Sequence, residues 1–217
     1  MLERLRSAIQ LSCLLCIGAL ILWYTGTDLW TAELLKTDPA FELLRSFGAW
    51  YSNWGLYPFY ALFLVLLARG HSRCRPRWVV LAQAYFLAQA CGTFALVHLL
   101  KMIFDRPRPF EHLLQDALLN VPNLTHALHS SFPSSHTVDT MVGAVFIALF
   151  WRGKGIRSLA IIAASLMGVS RVLVGKHYPS DVLAGSALAI GIVAITVRIY
   201  LLPRWSLATP GRITDPG

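Results

Sequence analysis

The sequence predicts an all-α integral membrane protein: a bundle of six transmembrane helices, with short interfacial helices in its outward loops. Three observations predict it. Hydrophobic residues make up 56% of the 217 residues and charged residues only 14%, against roughly 25% charged in ordinary soluble domains. Several apolar runs approach or exceed the ~18 residues that a helix needs to cross the hydrocarbon core. Arginines and lysines collect at the ends of these runs, and unequally on alternate sides.

The spans fall at residues 7–24, 54–68, 78–100, 133–151, 158–175 and 179–202. Trp23, Tyr24, Trp50, Tyr51, Trp54, Tyr57, Trp78 and Trp151 sit at their ends, where amphipathic rings meet the headgroups. The first run opens like a signal peptide, with Arg4 and Arg6 ahead of it. It is long, however, and ends in Trp23 and Tyr24 without a small-residue cleavage site, so an uncleaved span is expected. Between the first two spans, Leu29, Trp30, Leu34 and Leu35, then Leu43, Leu44 and Phe47, mark one or two short helices at the membrane surface. Pro39, behind Thr37 and Asp38, is a helix start.

Residues 104–132 form the longest outward loop. Phe110, Leu113, Leu114, Ala117 and Leu118 repeat there at helical spacing and predict a short amphipathic helix. Loops of this length often act as lids or binding elements. Residues 1–202 are expected as one six-span domain, and 203–217, polar and Pro/Gly-bearing, as a disordered cytoplasmic tail.

The net charge of +8 does not point to nucleic acid, because the basic residues sit at helix ends rather than along one face. One side collects twelve: Arg4, Arg6, Arg69, Arg73, Arg75, Arg77, Arg152, Lys154, Arg157, Arg198, Arg204 and Arg212. The other side has Lys36 and Arg45, besides Lys101, Arg106, Arg108, Arg171 and Lys176 in three special stretches. The chain is thus expected in a bacterial inner membrane, multi-pass, with both termini cytoplasmic and those stretches facing the periplasm or outside. Cys13 and Cys16 lie inside the first run and read as lipid-facing or packed thiols. Cys74 and Cys91 are isolated, so no disulfide framework or metal cage is implied.

The three stretches carry the chemistry. In the first, Lys101 ends the third span and Arg108 follows in Asp105-Arg106-Pro107-Arg108-Pro109. Alone, Lys101 reads as a snorkelling lysine, and Arg106 and Arg108 as headgroup contacts. In the second, Pro133-Ser134-Ser135-His136 opens the fourth span. It is either a plain serine N-cap or a helix end whose free N–H groups hold an anion. In the third, Arg171, His177 and Asp181 lie within twelve residues between two apolar runs. His177 and Asp181 are four apart across a helix start, where carboxylate and imidazole can meet. Arg171 offers a planar fork for phosphate. His98 is read as a satisfied core histidine or a partner of Lys101, and Asp139 as a tuner of His136 or a first-turn helix acid.

K-x6-R-P (Lys101 to Pro109), P-S-x-H (Pro133 to His136) and S-R-x5-H-x3-D (Ser170 to Asp181) resemble the three-part signature of the type 2 phosphatidic acid phosphatase superfamily, which is related to vanadium haloperoxidases. The resemblance implies a lipid phosphatase without metal or cofactor, working through a phosphohistidine at the outer face of the membrane. His177 would be the nucleophile, Asp181 its orienting carboxylate and His136 the general acid. Lys101, Arg108, Ser134, Ser135 and Arg171 would bind the phosphate oxygens. Ser135 stands where the family usually has glycine, and its backbone N–H survives that change. The expected partners are membrane lipid and a lipid phosphate, with polyprenyl (undecaprenyl) diphosphate the first choice. Phosphatidylglycerol phosphate, phosphatidic acid, lipid A 1-phosphate, or a lipid phosphotransferase reaction at the same site, are the alternatives.

Overall fold

The computed structural model describes residues 2–109 and 130–207. Among these residues every regular element is helical. Helix α1 (Leu2–Tyr24) is apolar nearly all round, and only Leu5 and Ala19 on it are buried. Its exposed Leu11, Leu14, Ile17 and Leu20 suit a lipid solvent rather than water. Gly26 then turns the chain at φ 74, a conformation that a side chain resists. Helices α2 (Thr27–Thr37) and α3 (Glu42–Trp54) follow. They are joined by one turn of 3₁₀-helix (Pro39–Phe41), whose start Asp38 caps by accepting the Ala40 N–H at 2.8 Å. The stretch expected to hold one or two short helices therefore holds two.

Helix α4 (Tyr57–Ser72) is paired with α5, which runs Pro76–Leu87, through a π-helical stretch Ala88–Leu96, into Val97–Phe104. Then come α6 (Ser135–Phe150), α7 (Lys154–Leu173) and α8 (Pro179–Thr196). The last continues through a π-helical turn (Val197–Leu201) to Leu202–Leu207. It therefore runs on past the end expected at 202, taking in Pro203. The amphipathic helix expected at 110–118, and positions 208–217 of the tail, lie outside the described residues.

Among the described residues four helices are long and apolar enough to cross a membrane: Leu2–Tyr24, Pro76–Phe104, Lys154–Leu173 and Pro179–Trp205. The expected count was six. The fourth expected span is shorter than its apolar run, because Pro133 and Ser134 are taken up by the turn before α6. At 16 residues α6 is about 24 Å long, less than the ~30 Å of a hydrocarbon core. It is also the most enclosed helix, with Val138, Val142 and Phe146 fully buried. Around it Phe63 stacks on Tyr85 at 3.9 Å, and both meet Phe146 edge-on. Gly143 lets α4 approach, since a Cβ there would sit 2.6 Å from Phe59.

The ends of the bundle are tied differently. At one end Arg4 Nη1 donates to the carbonyls of Leu149 and Trp151 at 3.4 and 3.3 Å. Nearby, Arg77 lies over the Trp205 ring and Phe150 packs on it. At the other end Trp23 and Phe104 both pack on Phe132. The four cysteines are free and exposed.

Candidate active site

The site is assembled at the Phe132 end from three chain reversals. The first closes α5. Asp105 adopts φ 36, and its N–H bonds back to the Lys101 carbonyl at 3.0 Å, so the chain turns inward after the helix. Lys101 does not snorkel: it is 4% exposed, and its Nζ donates to the Ser130 carbonyl at 2.6 Å. The Ser131 N–H donates to the Arg106 carbonyl at 2.7 Å. The Arg-Pro-Arg-Pro segment is thereby stitched to the chain at Ser130 and Ser131.

The second reversal begins α6. Ser134 occupies the N-cap with extended backbone, but its side chain makes no capping hydrogen bond, so the plain N-cap reading fails. The fully buried hydroxyl instead accepts from Thr137 Oγ1 at 2.9 Å. The N–H groups of the first helical turn, Ser135 and His136 among them, have no intrahelical acceptor. Such an end favours an anion. Gly185 of α8 lies close against it; a Cβ there would be 3.1 Å from the Ser134 carbonyl.

The third reversal joins α7 to α8. Gly175 at φ 66 makes a left-handed C-cap. Its N–H reaches the Val172 carbonyl at 2.9 Å, and the Lys176 N–H reaches the Arg171 carbonyl at 3.1 Å. This paired closure needs glycine at the turn. Arg171 is buried on the last turn and donates from Nη1 to Ser52 Oγ of α3 at 2.5 Å, while its Nε has no hydrogen-bond partner among the described residues. Helix α3 is seated on α7 for that contact. Tyr51 donates to the Ala163 carbonyl at 2.9 Å, and Gly48 leaves room for Leu173.

His177 follows, 2% exposed, with Nδ1 2.7 Å from the Ser131 carbonyl. A carbonyl only accepts, so Nδ1 carries the hydrogen and Nε2 the lone pair. Burial holds the imidazole well below its ordinary value, down to about 4, although Asp181 pulls the other way. The ring is therefore neutral at physiological pH.

Asp181 corrects the sequence expectation. Its Oδ2 lies 3.8 Å from His177 Nδ1, beyond hydrogen-bond reach. The carboxylate is engaged elsewhere: Oδ2 accepts the Tyr178 N–H at 2.8 Å, and Oδ1 accepts Arg106 Nη1 at 2.6 Å. The first is the return half of a capping box. Ser131 thus holds the histidine, and Asp181 faces it as a nearby negative charge.

The other expected residues converge. Arg171, Lys176 and Lys101 are the cations that act on His136. Arg108 and Arg171 act on Lys101, and Arg108 acts on Arg171. Lys101, Arg108 and Arg171 thus lie near one another, with Asp181 acting on Lys101 in the opposite sense. His98 takes no part; it is exposed, and its Nδ1 bonds the Phe94 carbonyl at 2.6 Å. The Asp139 carboxylate accepts from Tyr60 at 3.2 Å, and its carbonyl accepts from Gln89 at 3.0 Å, inside the bundle. Ser52, Ser131 and Asp28 were missed from the sequence, and Arg106 was read as a headgroup contact. The one available signal was Asp28 itself, an acid just beyond a long apolar run.

Comparison with known proteins places the chain in a family. Residues 77–205 match the PAP2 superfamily, and the chain belongs to it. Over 166 residues it is 33% identical to a lipid A 1-phosphatase of Rhizobium johnstonii, covering 73% of this chain and 66% of that protein. Over 107 residues it is 37% identical to the undecaprenyl-diphosphatase BcrC of Bacillus subtilis, covering 49% of this chain and 52% of that one. The chain thus spans between half and two thirds of the length of these relatives. Its fold is similar to that of a solved transmembrane PAP2-type phosphatidylglycerolphosphate phosphatase from Bacillus subtilis, with a TM-score of 0.59 at 20% identity. That match covers 87% of this chain and 93% of the other.

Proposed function

We propose that this protein is a metal-independent lipid phosphatase that works through a phosphohistidine on His177. One observation carries the reading. A buried, neutral imidazole, its Nδ1–H fixed by a carbonyl, lies within reach of the charges of Lys101 and Arg171. Nε2 of His177 attacks phosphorus, and the N–P bond forms as the bond to the lipid oxygen breaks. The electron pair goes to that oxygen, which takes a proton from His136. Water then attacks phosphorus and gives its proton to His136; the N–P bond breaks, and inorganic phosphate leaves. Lys101, Arg108, Arg171, the Ser134 hydroxyl and the Ser135 N–H hold the equatorial oxygens, where charge spreads in the transition state. Asp181 offsets the charge of the phosphorylated ring.

A lipid-linked substrate is supported by the setting. An apolar groove lined by Leu15, Met141, Val145, Ile162 and Val169 reaches Thr137, whose hydroxyl touches Ser134. Polyprenyl diphosphate is the first substrate reading, shared with the BcrC relative. Lipid A 1-phosphate is the second, favoured by the relative aligned over the longer stretch.

For topology we infer six spans, α4 and α6 being the short ones, with α2 and α3 at the outer interface. The gathering of Arg4, Trp151, Arg77 and Trp205 at the end opposite the site supports cytoplasmic termini. The test of function is phosphate release by the solubilised protein across a lipid panel. Turnover is expected to persist in excess EDTA and to be blocked by orthovanadate, which adopts the five-coordinate shape of the transition state. Complete loss in EDTA, restored by Mg²⁺, would contradict the mechanism.

A further inference from the structure

We infer that Arg106, braced by Asp28, is a positioning residue for His177, setting both the carbonyl and the carboxylate that face its Nδ1. The inference rests on the reading of His177 as the nucleophile and extends it to two residues outside the three motifs' signature positions.

The Arg106 side chain is 12% exposed and bridges two buried carboxylates. Nη1 donates to Asp181 Oδ1 at 2.6 Å and to Ser180 Oγ at 2.8 Å, and Nη2 donates to Asp28 Oδ2 at 2.8 Å. The guanidinium lies between two rings, its Cζ 4.0 Å from the centroids of both Trp23 and Tyr178. A planar fork fits such a slot, and a lysine does not. Asp28 is itself fixed. It is 1% exposed, its Oδ1 accepts the Ser180 N–H at 3.0 Å, and its Oδ2 also accepts the Ser180 hydroxyl.

The backbone of the same residue completes the device. The Arg106 carbonyl accepts the Ser131 N–H at 2.7 Å, and the Ser131 carbonyl accepts Nδ1–H of His177 at 2.7 Å. One residue therefore places the carbonyl that fixes the tautomer and draws back the carboxylate that stands 3.8 Å from the ring. Without Arg106 only the Tyr178 N–H restrains Asp181, and the carboxylate can swing to Nδ1 and displace the Ser131 carbonyl, turning Nε2 off the line of attack. An error of about 1 Å in such a position lowers rates by ~10²-fold.

The experiment uses the full chain in detergent, with farnesyl diphosphate as probe, and compares Arg106→Gln, Arg106→Lys and Asp28→Asn with wild type. Each variant is first checked for a monodisperse elution profile. Arg106→Gln is expected to lower kcat about a hundredfold, and Asp28→Asn about tenfold, with KM within about twofold. Arg106→Lys is expected to restore only part of the rate, because an ammonium cannot serve two carboxylates between two rings. The pH profile separates positioning from fold maintenance. The charged and titratable groups facing His177 are Asp181 on α8, Arg171 on α7, Lys101 on α5 and His136 on α6. Removing the Arg106 cation beside Asp181 moves the acid limb of kcat/KM to higher pH. Removing the Asp28 anion does not move it upward. A merely structural loss moves neither limb.

Arg106→Gln within threefold of wild type, or an unmoved acid limb, overturns the inference. If Arg106→Gln does not fold, Asp28→Asn decides, and a wild-type kcat for it is then the overturning result. If the wild type releases no phosphate from any lipid phosphate, the phosphatase reading falls, and the inference with it. A working wild type with indifferent variants removes the inference alone.

Discussion

The two ends of the bundle use arginine in opposite ways. At the far end Arg4 touches backbone carbonyls at 3.3 to 3.4 Å from an exposed position, and Arg77 lies 5.6 Å over the Trp205 ring. Contacts of that length to neutral partners contribute little, and they suit a residue whose task is to stay at a water-facing rim. At the site end Arg171 is buried and Arg106 largely enclosed, and Arg106 meets carboxylates at 2.6 and 2.8 Å. Burying a guanidinium is costly unless charge answers charge. Arg106 has its answer within the protein, in Asp28 and Asp181. Lys101 and Arg171 lie near Arg108, and in the proposed mechanism all three turn toward the phosphate. Depth and partner, rather than residue type, separate an anchor from a working group.

The comparison is tested most strongly at His136. His136→Ala is expected to lower kcat by roughly 10³-fold on an alkyl phosphate, whose leaving oxygen needs a proton. The loss should be far smaller on p-nitrophenyl phosphate, whose leaving group needs none. Equal losses on both substrates would remove the general-acid role. Next in size, Lys101→Met and Arg171→Met should each lower kcat/KM about 10²-fold, as expected when one donor to the transition-state oxygens is removed. At the other end of the bundle Arg4→Ala should leave phosphate release within about twofold of wild type. An Arg4 effect as large as that of Lys101 would erase the distinction between the two ends.

A smaller and more diagnostic effect concerns pH. In the proposed mechanism His177 must be neutral to attack, and burial lowers its value from 6.5 to about 4. Activity should therefore hold as pH falls through 6.5 and decline only as it approaches about 4, after correction for the substrate's own ionisation. A limb near 6.5 would mean that His177 is solvated in the working protein. The sidedness of the ends is checked by labelling, in a background lacking the native cysteines. Gln115→Cys should react with an impermeant thiol reagent in spheroplasts, and Gly153→Cys only after the membrane is broken.

Much of this was legible in the sequence, for identifiable reasons. Hydropathy located the helices because each long one faces lipid on at least one side, as α1 does over most of its surface. The length of α6 was not legible, since the apolar run continues through residues that the structure spends on the turn at Pro133 and Ser134. His177, His136 and the cations were legible because charge is costly beside apolar runs. Their supports were not. Ser131 acts through a backbone carbonyl, which carries no side-chain identity. Asp28 meets Ser180 across 152 residues of chain, and Ser52 meets Arg171 across 119. The close pairing expected of His177 and Asp181 was a correct reading of spacing, overridden by two stronger claims on the carboxylate, the Tyr178 N–H and Arg106.

The most direct test of the account is to trap the intermediate. The purified protein is mixed with a lipid diphosphate, quenched in alkali, where phosphohistidine survives, and digested for mass spectrometry. The account predicts that the peptide carrying His177 gains one phosphoryl group, that the modification is lost in acid, and that His177→Ala abolishes both it and turnover while the protein stays monodisperse. Phosphoryl transfer to a different residue, or a His177→Ala protein that retains activity within tenfold of wild type, would contradict it.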